Sequence, residues 1–310
     1  RLNKADFGGA VLDGASFEGA RLAKANFKEA SLVGADFRRA TLDGADFSCA
    51  TLDNANLADQ WLKSVNLEEA SLRGTNLSGA HFTSARLSNA CLVGADLGQA
   101  RVLSGLKLED ADLSGAKLVG FKGKNAKLRR AKLTGADLEG ASFYEADLRE
   151  VVLDDANLKD SKVQQSNLLK ASLRHANLTG ADWYCSRLRK TDLTGANLAG
   201  AQLRRVDFED ACLENVTQTD TNFEGASALV LARPKPVLSG KKAWAAQLSE
   251  LRSRLGKSAE LLEAVFELYE NESFTSEIEM WLGGQVGTII KKNPSTVEVA
   301  RRFLQSEQPS

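Results

Sequence analysis

Proline is nearly absent: four occur in 310 residues, and the first of them is Pro234. The long stretch before it keeps every backbone donor, so an uninterrupted hydrogen-bonded architecture is open to it. Histidine is confined to His81 and His175. Neither has an acid, a cysteine or a second histidine at catalytic or metal-ligand spacing, so both read as outward-facing surface residues. No nucleophile–histidine–acid set can be assembled from them. Cys49, Cys91, Cys185 and Cys212 lie far apart and form no CxxC pair, which favours free thiols over disulfides or metal ligands. No apolar run approaches the roughly 18 residues of a membrane span, and no charged-then-apolar leader is present. An excess of charge is missing too: 40 basic residues face 41 acidic ones. Net charge therefore gives no reason to expect nucleic acid or an anionic membrane, and only the placement of charges can bear on partners. The sole methionine is Met280 and Arg1 already stands inside the pattern described next, so the sequence reads as a processed form or an excised piece. The cytoplasm is the expected location, with secretion as the alternative.

What is present is a repeat. Leu or Phe recurs every five residues from Leu2 and Phe7 through Leu42 and Phe47, and the same phase continues through Leu97 to Val102. The next comparable residue is Leu108, six positions on, after which the period of five resumes through Leu113, Leu118 and Leu128 as far as Phe223. One residue is thus inserted within 103–107. Two positions before nearly every Leu or Phe stands a small residue, as at Ala5, Ala10, Ala131 and Ala136. Residues two apart on an extended chain share a side, so each pentad sends one small and one large apolar side chain inward and then turns. A helix needs apolar spacings of three and four, which a period of five cannot sustain.

The units Ala35-Asp36-Phe37, Ala55-Asn56-Leu57, Ala136-Asp137-Leu138 and Ala196-Asn197-Leu198 resemble the pentapeptide-repeat family, whose consensus is A-(D/N)-L-x-x. The resemblance covers about residues 1–226. It implies an all-β fold, a right-handed quadrilateral β-helix with four pentads per coil. Phenylalanine alternates with leucine over the first ten pentads, as an even-sided coil requires. About eleven coils at a spacing near 4.8 Å would make a rod roughly 53 Å long, stabilised by contacts between neighbouring coils.

Gly123 and Gln218 occupy large inward positions. Gln218 falls where the core fades; Gly123 would leave a gap beside Phe121, which stands where alanine is usual, so the large and small partners look exchanged. Trp183 replaces an inward leucine and needs a partner for its indole N–H. The inserted residue is expected to bulge outward.

Counting pentads onto four faces, with the insertion carried as a bulge, sorts the charge. One face collects the cations Arg1, Lys4, Arg21, Lys24, Lys63, Arg101, Lys122, Lys124, Lys162, Arg204 and Arg205 against the acids Asp43, Glu145, Asp182 and Glu224. The same face bears Trp61, Tyr144 and Tyr184. Cations interleaved with aromatics suit an anionic ligand through charge contacts and stacking; an ordinary solvated face is the competing reading.

The period of five ends near Ala226. Residues 227–238, with Arg233-Pro234-Lys235-Pro236, read as a stiff linker. Residues 239–310 read as a small α-helical C-terminal domain: Trp244, Leu248, Leu251 and Leu255 keep helical spacing, as do Leu261, Leu262, Val265, Phe266 and Tyr269. Capping of the solenoid, homodimerisation through these helices and partner binding are its candidate roles. No cofactor is implied. The favoured function is a non-catalytic binding or scaffold protein with a protein partner, acting through its outer faces and helical end. The resemblance adds two alternatives: a duplex-DNA mimic that binds bacterial DNA gyrase and confers quinolone resistance, and a bacterial effector or secretion-associated module. A repeat region holding 29 basic and 31 acidic residues is a poor match for the first.

Overall fold

In the computed structural model the chain divides into two units, Arg1–Ala226 and Ser227–Ser310, and residues 1–228 are described. The linker expected beyond Ala228 and the helices expected over 239–310 lie outside the described residues.

One pentad shows why the consensus has its form. In Asn26–Ala30 the Asn26 N–H donates to Ala5 O on the coil before at 2.9 Å, and the Phe27 N–H to Asp46 O on the coil after at 2.6 Å. The Glu29 N–H reaches Ser48 O at 3.0 Å, and the Ala30 N–H closes the turn on Phe27 O at 3.0 Å. The remaining donor, Lys28 N–H, is taken by the Asn26 side-chain oxygen at 3.0 Å. Every backbone donor is satisfied, four by backbone and one by the Asp/Asn of the consensus. The same side-chain bond recurs from Asp36, Asn56, Asp96, Asp137 and Asn177. Only the residue before each inward small residue has positive φ, between 51° and 71° from Lys4 to Gly225, which makes the hydrogen-bonded turns type II.

Parallel bridges set the register. Partners lie 20 residues apart, as in Asp6↔Asn26 and Asp36↔Asn56, so four pentads complete one coil. Over a single turn the separation becomes 21, in Arg86↔Lys107 through Arg101↔Lys122, and it then returns to 20. The extra residue is Leu103: β2 (His81–Thr83) pairs with β3 (Arg101–Ser104) through Phe82↔Val102 and then Thr83↔Ser104. Leu103 bulges outward and is 54% exposed. β2 ladders onto this widened side and β1 (Trp61–Lys63) onto β2, and both are extended like β3.

The core is the stack of inward side chains. Phe7, Phe27 and Phe47 stack face to face at 4.9 and 4.8 Å, Phe17 and Phe37 at 5.0 Å, and the two stacks meet edge-on. The 4.8 Å step is the spacing of neighbouring strands. Hydroxyls that replace the inward alanine stay satisfied by donating to the preceding coil: Thr75 to Leu52 O, Ser166 to Phe143 O, Ser186 to Val163 O and Thr191 to Leu168 O. Trp183 is fully buried, and its indole N–H donates to Ser161 Oγ at 3.1 Å. The gap expected at Gly123 is filled. A Cβ there would lie 2.7 Å from Phe121 Cε1 and 2.9 Å from Phe143 Cδ1, so the two rings take the space of the missing leucine. Gln218 is half-buried where the core ends.

Gly123→Leu should therefore destabilise the rod by about 1–3 kcal/mol through overpacking. Adding Phe121→Ala, which restores the consensus order of small and large, should recover most of that loss. Denaturant midpoints check this, and a stable Gly123→Leu single variant would show that the rings do not fill the site.

Acid should also weaken the rod. Hydrogen bonds from the guanidinium groups of Arg38, Arg130 and Arg149 hold the carboxyls of Asp36, Asp110 and Asp147 below the ordinary carboxylate range. A folded pKa below the unfolded one contributes stability above the unfolded value, about 4, and loses it as pH falls through the folded value. The melting temperature should stay level from neutral pH to about 5 and drop below about 4; a rise on acidification would contradict the assignment.

Candidate anion-binding face

The ladder places the residues singled out above along one side of the rod. Arg21 bridges to Thr41, Trp61 pairs with His81, and His81 with Arg101. The column continues through Lys122, Ser142, Lys162, Asp182 and Gln202. Arg1 begins it, because the next residue, Leu2, donates its N–H to Arg21 O. Lys4, Lys24, Lys124, Tyr144, Tyr184, Arg204 and Arg205 occupy the turns that follow on the same side, one coil or a whole number of coils apart, and Lys63 ends β1 at the corresponding place. The bulge at Leu103 is what keeps the cations before and after the insertion aligned.

On this side the column just before Leu or Phe has been withdrawn from structural work. On two other faces it supplies the Asp or Asn that takes the turn N–H, and on the third, whose column runs Val11, Ser31, Thr51 and Ser71, it does so only at Asp112 and Asp192. Here it holds Arg1, Arg21, Thr41, Trp61, His81, Arg101, Lys122, Ser142 and Lys162. Among the described residues the side-chain-to-turn bond returns on this face only at Asp182, to Tyr184 N–H, and at Asn222, to Glu224 N–H.

Charge pairing separates this face from its neighbour more sharply than cation content does. The adjacent face, whose column runs Asp6, Asn26, Asp46, Asn66, Arg86, is also rich in cations. There Lys28, Arg86, Arg129, Arg130, Arg149 and Arg189 each meet a carboxylate. The remaining pairs involve Arg38, Arg39, Lys159 and Arg174, on the other two faces. Among the described residues no cation of the basic face is in an ion pair. Aromatic rings hold some of them instead: Lys124 Nζ lies 5.3 Å from the Tyr144 ring centre and the Arg204 guanidinium 5.7 Å from that of Tyr184. Arg205 also donates to Tyr184 Oη at 3.3 Å, and Tyr144 Oη to Gln165 Oε1 at 3.1 Å. The aromatics differ in access. Tyr144 and Tyr184 are half-buried, whereas Trp61 is 59% exposed with one ring face stacked on His81 at 4.6 Å.

His81 is accordingly more than the isolated surface residue expected. It backs the most exposed ring of the face, and its Nδ1 is buried. The signal was its position 20 residues after Trp61, one coil along. His175 stands in an exposed turn, as expected. The four cysteines are free, and among the described residues no group of His, Cys, Asp and Glu could hold a metal. A cavity of about 10 Å³ inside the rod is lined by apolar side chains from Leu128 to Trp183, room for at most one water. Among the described residues no helix is long and apolar enough to cross a membrane.

A family model described as pentapeptide repeats matches in 8 copies over residues 1–28, 20–59, 62–99, 107–143, 124–160, 152–182 and 184–217. The chain belongs to the pentapeptide-repeat family. The matches break at 60–61, 100–106 and 183, where Trp61, the bulge and Trp183 depart from the consensus. Among solved structures the chain is similar to the pentapeptide-repeat protein Rfr23 from the cyanobacterium Cyanothece 51142, with 34% identity over 30% of this chain and a TM-score of 0.30. It spans 64% of that protein, less than two thirds of its length. HetL, a protein involved in heterocyst differentiation regulation in Nostoc sp. strain PCC 7120, is 25% identical over 76% of this chain and 92% of its own, with a TM-score of 0.25. A trypsin-treated form of QnrB1, a plasmid-mediated fluoroquinolone resistance protein, is 19% identical over 73% of this chain and 95% of its own, with a TM-score of 0.46. No curated protein matches the sequence.

Proposed function

We propose that the protein is a non-catalytic binding rod that engages an anionic macromolecular partner through its basic face. The observation that carries this reading is the pairing pattern: among the described residues none of the cations of this face has a carboxylate partner, while six on the adjacent face, Lys28, Arg86, Arg129, Arg130, Arg149 and Arg189, are paired within the rod. Unpaired cations in a row raise the local potential and leave it available to a ligand. The row runs from Arg1 to Arg205, about ten coil steps near 4.8 Å each, too long for a small anion and suited to a polymer or an extended acidic surface. Each exposed contact is weak, so affinity arises from the set and salt weakens it as a whole.

Reversal of Lys122, Lys124, Arg204 and Arg205 to glutamate should lower the salt concentration at which the full chain leaves a heparin column and leave the circular-dichroism spectrum unchanged. Elution of both proteins at the same salt would reject the reading. A duplex-DNA mimic needs dominant negative charge, and this rod turns a positive face outward. Purified protein is therefore expected not to inhibit DNA gyrase supercoiling; potent inhibition would make DNA mimicry the better account.

A further inference from the structure

We infer that the partner of the basic face is a single-stranded nucleic acid, with an unpaired base stacked on Trp61. This rests on that face being an anion-binding surface, and three observations narrow the class of anion. The first is the ring. Trp61 remains 59% exposed although His81 covers one of its faces at an interplanar angle of 19°. Its column neighbour on the other side is the small Thr41, too short to cover an indole. A large apolar ring held rigid from behind and open in front is a platform on which a base can stack, and a carboxylate offers no π face to meet it.

The second observation is the setting of that ring. Arg21 and Arg101 stand two coils to either side of it, about 10 Å away in each direction, and Lys63 lies on the same coil. A flexible strand can place its phosphates on these cations while one base turns inward to the ring. The third is the straightness of the row. The backbones of a duplex wind away from a straight line once in about 34 Å, so a rigid duplex laid along the rod meets the row only where a strand crosses it. Its bases are also stacked internally and reach Trp61 only at the cost of unstacking. A single strand follows the whole row without that cost.

The departures from regular repeat chemistry converge on the same place. The extended strands β1 to β3, the outward bulge at Leu103 and the Phe121/Gly123 exchange fall on successive coils of this face. Local rules broken together mark a site maintained for something other than stability.

Fluorescence anisotropy with the full chain and a fluorescein-labelled oligothymidylate long enough to span the row tests the inference. A duplex of equal length is the second probe, and unlabelled polyglutamate the competitor. The single strand should bind about tenfold or more tighter than the duplex. Trp61→Ala should weaken single-strand binding by about five- to a hundredfold, the range for one stacked base, and leave binding of polyglutamate unchanged. Trp61→Phe keeps a ring and should recover most of the loss, which separates stacking from damage to the fold. Equal or tighter duplex binding, or no effect of Trp61→Ala, would overturn the nucleic-acid assignment even if polyglutamate still bound. Failure to bind any of these polyanions would remove the proposed function as well.

Discussion

The ladder between coils is the constraint on which everything else in the rod depends. Each pentad donates to the coil before it through one N–H and to the coil after it through two, as Asn26, Phe27 and Glu29 do. A coil therefore cannot change its path alone. The widened side at Leu103 is shared by β2, which pairs with it, and by β1, which pairs with β2, and the 21-residue step lasts one turn and then disappears. Burial follows from the same constraint: inward side chains land on their counterparts one coil away, so phenylalanines stack at 4.8 Å and each buried leucine contributes about 1.5–3 kcal/mol.

Because the backbone is satisfied by the ladder, the outward side chains are released from most structural duty. The Asp or Asn that takes the turn N–H is the main exception. On the basic face that duty is given up in most coils, and arginine, lysine, tryptophan and histidine stand in its place. The cost is one local hydrogen bond per pentad, of order 1 kcal/mol. The result is a row of cations steadied by tyrosine rings at 5.3 and 5.7 Å and by no carboxylate. The neighbouring face keeps a similar stock of cations but uses six of them internally, in pairs such as Arg130 with Asp110 and Arg149 with Asp147. The two faces hold similar numbers of cations, but only the neighbouring one also holds the acids that pair with part of them.

Much of this was legible in the sequence because a period of five leaves little freedom. The inward residues, an even-sided coil and the outward bulge within 103–107 follow from counting; the four-sided coil is implied by the family resemblance, and with it the membership of the basic face. What escaped depends on distances between coils. Gly123 reads as a gap until the rings of Phe121 and Phe143 are seen to converge on it. Tyr144 and Tyr184 read as fully outward, but their rings lie half-buried against the surface. His81 reads as solitary, because its partner Trp61 is adjacent in space and a whole coil away in sequence. Net charge hid the face altogether, since both signs nearly cancel over the chain while ion pairing is decided side by side.

The claim that unpaired cations make the face available is tested most directly by neutralising equal numbers of paired and unpaired cations. Four unpaired residues, Lys122, Lys124, Arg204 and Arg205, are changed to glutamine in one variant, and four paired ones, Arg129, Arg130, Arg149 and Arg189, in another. The slope of log binding constant against log salt concentration is then measured for each on a heparin fragment, since that slope counts the cations the ligand engages. The account predicts a shallower slope for the first variant and the wild-type slope for the second. Equal changes in both, or a change in the second alone, would show that pairing within the rod does not govern what the face can bind.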